Sequence, residues 1–129
     1  MNDSIYQKTV FENRNASELY DIYMDDHKHK EAVHPKAREC SLKNCTFKER
    51  HGKIIHSVKD NIIIQLWRSD GPWKPEDMDS LVILKFNQIN DNAEIELNHL
   101  YIPENARQFV NKDAWDFLYW NPIKEYLKK

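Results

Sequence analysis

Apolar residues recur along the chain with two periods, and the change of period marks out the elements. Residues 4–12 alternate, with Tyr6, Thr9 and Val10 among polar neighbours, which predicts a strand. A helix is expected next. Asn15 is placed to cap it, Glu18 completes a capping box, and Leu19, Ile22 and Tyr23 share one face at i, i+3 and i+4. The Asp25-Asp26 pair and the His/Lys run behind it read as a turn or a short second helix, which Pro35 stops. From there strand follows strand, near 36–42, 45–50, 53–59, 62–69, 80–88 and 93–102. Turn signals separate them at Lys43-Asn44, His51-Gly52, Asp60-Asn61, Gly71-Pro72 and Asn90-Asp91-Asn92. The stretch 61–69 is the most apolar and is expected at the centre of the sheet. In 93–102, Ile95, Leu97, His99 and Tyr101 fall on one face and Glu94, Glu96 and Asn98 on the other.

The period then lengthens to that of a helix. Pro103 closes the last strand, and Asp113 is placed to cap a helix reaching about residue 127. Trp115, Leu118, Tyr119, Ile123, Tyr126 and Leu127 form its buried stripe, whereas Phe117 and Trp120 lie off it. Pro122 is expected to kink or locally unwind the helix. A sheet with one apolar face needs a cover, and this helix is the only element long enough to provide it. The fold class is therefore α+β: one domain, 1–129, with a curved antiparallel sheet of about seven strands wrapped around a long C-terminal helix.

Composition narrows the chemistry. Hydrophobic residues make up 40% and charged residues 31%, which is globular rather than disordered. There are two glycines, Gly52 and Gly71, nineteen positions apart, so neither a phosphate-cradling loop nor a dinucleotide fingerprint can be assembled. Two cysteines, Cys40 and Cys45, are too few for a disulfide scaffold and fit a reducing cytoplasm. No apolar run is long enough to span a bilayer, and the first residues do not read as a secretory signal, so no membrane association is expected.

Net charge is −2 but unevenly spread. Between Lys28 and Lys59, nine Lys/Arg face three Glu, a balance of +6 that leaves −8 for the rest. Such asymmetry suits an oriented electrostatic partner, although solvated strand faces would show it as well. A mildly acidic domain without an aromatic-plus-glycine strand motif is not expected to bind nucleic acid.

Four segments resemble one family. Ile63-Ile64-Gln65-Leu66-Trp67-Arg68 resembles its I-V-Q-x-W-R strand, and Leu97-Asn98-His99-Leu100-Tyr101-Ile102-Pro103 is similar to its L-T-H-x-x-V-P strand end. Trp115 with Tyr119-Trp120-Asn121-Pro122-Ile123-Lys124-Glu125-Tyr126-Leu127 resembles its aromatic Y-W-x-P-[LIM]-K-x-Y-L helix. Asn15-Ala16-Ser17-Glu18-Leu19-Tyr20 resembles its S-P-x-E helix start. These are marks of homologues of the activator of the heat-shock protein 90 ATPase, in the START-like superfamily with its helix-grip fold. The resemblance implies a non-enzymatic co-chaperone without cofactor. It would bind the N-terminal domain of heat-shock protein 90 and favour the closed, N-terminally dimerised state.

Candidate residues fall in two groups. Lys28, Lys30, Lys36 and Arg38 of the basic third, with Trp73 in the loop 70–79, are the candidate partner contacts. Phe117 and Trp120 are further candidates for exposed anchors, since interfaces are rich in aromatic residues. Trp67, Phe86, His99, Trp115, Tyr119 and Tyr126 are expected to line the groove between sheet and helix. That groove would either be a filled core or hold a small apolar ligand, the alternative function. His99 has no carboxylate or nucleophile placed beside it by sequence, so no catalytic residue is assigned. The spacing of His27, His29, His34, Cys40 and Cys45 fits no structural zinc pattern.

Overall fold

The computed structural model describes residues 3–25, 27–33, 53–68 and 73–128. Five strands form one antiparallel sheet: β1 (Ile5–Phe11), β2 (Lys53–Val58), β3 (Ile62–Trp67), β4 (Ser80–Ile89) and β5 (Asn92–Leu100). Their spatial order is β1-β5-β4-β3-β2. Helix α1 (Ala16–Met24) and a second short helix, α2 (27–33), follow β1. A single 3-10 turn, Glu104–Ala106, precedes the terminal helix α3 (112–127). The sheet thus has five strands among the described residues, not seven. Of the strands expected from sequence, 36–42 and 45–50 lie outside those residues. The segment 61–69 supplies β3, an interior strand paired with β2 on one side and β4 on the other; β4 is the middle one of the five described strands.

Period-two burial sets the inner face. On β3, β4 and β5 it carries Ile63, Gln65, Trp67, Ser80, Val82, Leu84, Phe86, Ala93, Ile95, Leu97 and His99, all buried. Register aligns them in cross-strand rows: Ile63 opposite Leu84 and Leu84 opposite Leu97, then Gln65 opposite Val82 and Val82 opposite His99. On β1 the buried side chains are Ile5, Thr9 and Phe11, while Tyr6 and Val10 point outward. Leu19, Tyr20, Ile22 and Tyr23 of α1 pack onto the inner face, Tyr20 edge-on to Phe86 with ring centroids 5.5 Å apart.

Three local expectations are corrected. Asn15 occupies the N-cap of α1, but its side chain makes no capping bond. The Ala16 N–H donates instead to Gln88 Oε1 at 2.7 Å, so β4 caps the helix across the fold. At the other end, Asn111 rather than Asp113 caps α3, its Oδ1 accepting the Ala114 N–H at 2.9 Å. Tyr101 is not on the inner face: its φ of 62° breaks the alternation and leaves it 66% exposed, so that Ile102 is buried in its place.

Pro122 acts upstream of itself. Lys112–Trp115 is α-helical, Asp116–Trp120 is one π-helical turn, and Asn121–Leu127 continues as α-helix. Proline has no N–H and its ring presses on the carbonyl four residues back, so a wider preceding turn relieves it. The widened turn also changes the helix phase. Trp120, expected off the stripe, is buried at 1% exposure, whereas Phe117 remains exposed.

Leu84 lies at the centre of the inner face with no exposure, and Ile83 beside it faces outward. Leu84→Ala should lower unfolding free energy by about 3 kcal/mol. Ile83→Ala should cost about 1 kcal/mol or less. Urea denaturation of both variants checks the assignment of faces.

Candidate functional site

The expected groove residues meet where α3 crosses β3, β4 and β5. Ring centroids are 5.0 Å apart for Trp67 and Trp115, 4.8 Å for Trp115 and Tyr119, 5.6 Å for Trp67 and His99, and 6.0 Å for Trp67 and Tyr119. Trp120 stacks on Trp115 at 5.4 Å with 18° between the planes. These rings are in contact with one another across the sheet–helix boundary. Phe86 belongs to the same core but packs on α1 through Tyr20. Tyr126 stands at the margin, half-buried, and its hydroxyl donates to Glu31 Oε2 of α2 at 3.2 Å. Burial and that carboxylate together raise the Tyr126 pKa.

A hydrogen-bond relay runs through the cluster. An indole can only donate, so Trp115 Nε1–H donates to His99 Nδ1, at 3.3 Å. His99 therefore carries its proton on Nε2, which donates to Ser80 Oγ at 2.7 Å. The Ser80 hydroxyl in turn donates to the Trp67 carbonyl at 3.2 Å. Register supplies the geometry, because Trp67 pairs with Ser80 and Val82 pairs with His99. Loss of hydration pushes the His99 pKa down to about 3, so the ring is neutral. The Ser80–His99 pair is not a nucleophile and its base, since a base needs a lone pair on the nitrogen that faces the hydroxyl. Here that nitrogen holds the proton.

A second polar tie crosses from sheet to α1. Tyr23 donates to Gln65 Oε1 at 2.7 Å, both side chains being buried. His29 of α2 is buried with Nδ1 2.8 Å from the Tyr23 carbonyl. Its ring sits edge-on to Tyr23 and Tyr119. Sequence reasoning missed Ser80, Gln65, Tyr23 and His29 as participants. The signal for Gln65 was a lone amide on the buried face of an otherwise apolar strand; Ser80 gave none.

The partner-contact residues divide. Lys28 and Lys30 are exposed on α2, where His27 also pairs with Glu31 at 2.6 Å. Lys36 and Arg38 lie outside the described residues, as do His34, Cys40 and Cys45. Trp73 is not an exposed anchor: it is 5% exposed and belongs to the core. Arg68 explains its seating. The guanidinium donates to Asp79 Oδ1 at 2.6 Å, to the Lys74 carbonyl at 3.3 Å and to the Asp77 carbonyl. The loop is fastened down by three bonds, and Trp73 goes with it.

An open antiparallel sheet with a C-terminal helix laid across its inner face is the helix-grip, START-like architecture. No protein-family model and no curated protein matches the sequence. Solved structures do match, over almost the whole chain. PFC0360w, an HSP90 activator from Plasmodium falciparum, superposes with a TM-score of 0.71 at 14% identity, covering 98% of this chain and 97% of that one. The Aha1 dimer from Colwellia psychrerythraea gives a TM-score of 0.57 at 11% identity, covering 97% and 92%. CalU16 from Micromonospora echinospora gives 0.61 at 17% identity, covering 97% and 79%. The chain has the START-like fold of the HSP90-activator homologues, as its sequence motifs imply. No helix among the described residues is long and apolar enough to cross a membrane.

Two measurements test this arrangement. His99 has a folded pKa of about 3 against an ordinary 6.5, so below pH 6.5 the unfolded chain binds the extra proton. The His99 contribution is complete above pH 6.5 and is lost as pH falls toward about 3. Between pH 7.5 and pH 5 the native chain should lose about 2 kcal/mol more stability than His99→Gln, by urea denaturation. Arg68→Ala should free the loop and make one of the four tryptophans accessible to acrylamide, with a red-shifted emission. The same substitution in a Trp73→Phe background should leave the quenching unchanged.

Proposed function

We propose that the chain is a co-chaperone-like protein that binds heat-shock protein 90 and stimulates its ATPase by favouring the closed, N-terminally dimerised state. The observation that carries this reading is the match to an HSP90 activator across nearly the full length of both chains. The ring contacts between the sheet and α3 support the same reading. With Trp67, His99, Trp115 and Tyr119 in mutual ring contact, the outside of the fold is left to recognise a partner. The alternative, a carrier of a small apolar ligand, requires a cavity lined by Trp67, His99 and Tyr119, and the contacts of Trp67 with His99 and Tyr119, at 5.6 and 6.0 Å, weigh against it.

The chain would not hydrolyse ATP itself, because two distant glycines build no phosphate loop. It would act in the cytoplasm by differential affinity: only a ligand that binds one conformation better than the other shifts the equilibrium between them. Lys28 and Lys30, exposed on α2, remain the candidate contacts from the basic third.

A coupled ATPase assay with purified chaperone, with an inhibitor-blocked control, tests the function. Stimulation by the chain is expected; an unchanged rate discards the reading. Lys28→Glu with Lys30→Glu should weaken binding roughly tenfold in low salt and by less in high salt, because exposed charges are screened. Equal affinity to the native chain in both buffers would remove α2 from the interface.

A further inference from the structure

Main-chain groups point alternately to the two sides of an antiparallel strand, so one ladder bond fixes the direction of the rest. The Phe86 N–H donates to the Asn61 carbonyl at 2.8 Å, in register with the β3–β4 ladder. Even-numbered residues of β4 therefore turn their main-chain groups to β3, and odd-numbered ones turn theirs to β5. Carried through the register, the odd-numbered residues of β5 turn to β1, where they meet Ile5, Gln7, Thr9 and Phe11. Tyr6, Lys8 and Val10 are left pointing away from the sheet. β1 stands at the end of the strand order, and no turn, loop or cap returns a main-chain bond to these residues. Their N–H and C=O groups form an open row along the edge.

The row is regular and accessible. β1 pairs with β5 along its whole length without a register shift, whereas β2, at the other end of the described order, shifts between Ile54 and His56. β1 contains neither proline nor glycine. Sheet edges are commonly blunted by a bulge, a proline or several charges, and β1 has one charge, Lys8. The side chains of the same three residues stand on the outer face, where Tyr6 and Val10 are about half exposed and Lys8 is exposed. The side-chain contacts of β1 run inward: Tyr6 to Glu96 of β5, Gln7 to Lys112, Asp116 and Trp120, and Phe11 to Lys124. None of them covers the row.

We propose that β1 takes up an extended segment of another protein, of the pattern apolar-x-acidic-x-apolar, as an added strand. An N–H and a C=O recur together along this edge every second residue, about 6.8 Å apart, and an extended peptide main chain answers that spacing. The residues of the added strand that bond to the row also set their side chains on the outer face, beside Tyr6, Lys8 and Val10. Cross-strand pairing favours aromatic or β-branched side chains next to Tyr6 and Val10 and a carboxylate next to Lys8. A second copy of the chain fits poorly, because β1 paired antiparallel with β1 about its midpoint opposes the two Lys8 ammonium groups. Water already serves the row in the free chain, so the gain per bond is modest and the dissociation constant is on the order of 100 μM. The edge is distinct from α2, and the inference does not rest on the chaperone reading.

Amide-resolved titration of the full chain with the capped peptide acetyl-Thr-Val-Thr-Glu-Thr-Val-Thr-amide, to about 1 mM, tests this. In the free chain the Tyr6, Lys8 and Val10 amides should exchange with solvent at least roughly tenfold faster than those of Gln7 and Thr9. The peptide should shift the β1 amides and slow exchange at those three. A peptide N-methylated at its Val and Glu residues should bind at least roughly tenfold more weakly, and one with Lys for Glu about threefold more weakly. Lys8→Pro removes an N–H that the ladder does not use, so it should fold, by near-ultraviolet circular dichroism, and lose the peptide. Should it fail to fold, Lys8→Glu keeps the test: its preference should reverse to the Lys peptide. The proposal is overturned by an unshifted β1, by equal binding of the N-methylated peptide, by a folded Lys8→Pro chain that binds like the native one, or by a Lys8→Glu chain that still prefers the Glu peptide. Shifts of β1 that follow chain concentration without peptide make the occupant a second copy and reject it too.

Discussion

The fold depends on one buried relay, in which the indole of α3 donates to His99, His99 to Ser80, and Ser80 to the Trp67 carbonyl. Aromatic stacking alone would leave the helix free to slide over the sheet, because ring contacts tolerate offsets and tilts. The relay does not tolerate them. Each member has one acceptor or one donor in reach, and an unmet polar group in this interior would cost about 1–3 kcal/mol. Helix α3 is thereby fixed in both position and rotation against β3, β4 and β5. The neutral state of His99 follows from the same arrangement, since a charged ring would have two donors and could not accept from Trp115.

The π-helical turn is the counterpart of this constraint on the helix side. A regular α-helix through Pro122 would set its ring against the carbonyl four residues back and place Trp120 off the buried stripe. Widening one turn settles both problems. It gives the proline room and rotates Trp120 onto Trp115, which extends the aromatic stack by a ring. The residues that follow, Ile123 buried and Tyr126 and Leu127 half-buried, keep α3 against the core to its end.

Much of this was legible in the sequence. Alternation located the described strands to within about two residues, because a half-buried strand has a strict period of two. The aromatic stripe placed α3, and the groove residues Trp67, His99, Trp115 and Tyr119 do come together. What escaped has a common physical origin. The reversal of Tyr101 depends on a single left-handed backbone angle. The burial of Trp120 depends on a local change of helix pitch. The cap of α1 comes from Gln88, seventy-two residues away, and Trp73 is seated by Arg68, just past the end of β3. None of these is a matter of hydrophobic period. Each rests on backbone geometry or on a tertiary contact, to which a one-dimensional pattern is blind.

Arg68 reaches two main-chain carbonyls and one carboxylate in the loop it holds. Carbonyls belong to every residue type, and the Asp77 carboxylate accepts the Lys74 N–H at 2.9 Å within the loop, so its path does not call on the side chains displayed at 74, 76 and 78. Lys74, Glu76 and Met78 project into water from a support that does not depend on them. Substitution there can alter the surface chemistry of this corner while the tryptophan beneath stays in place, which makes the loop a site where relatives of this chain can diverge in what they recognise without remaking their cores.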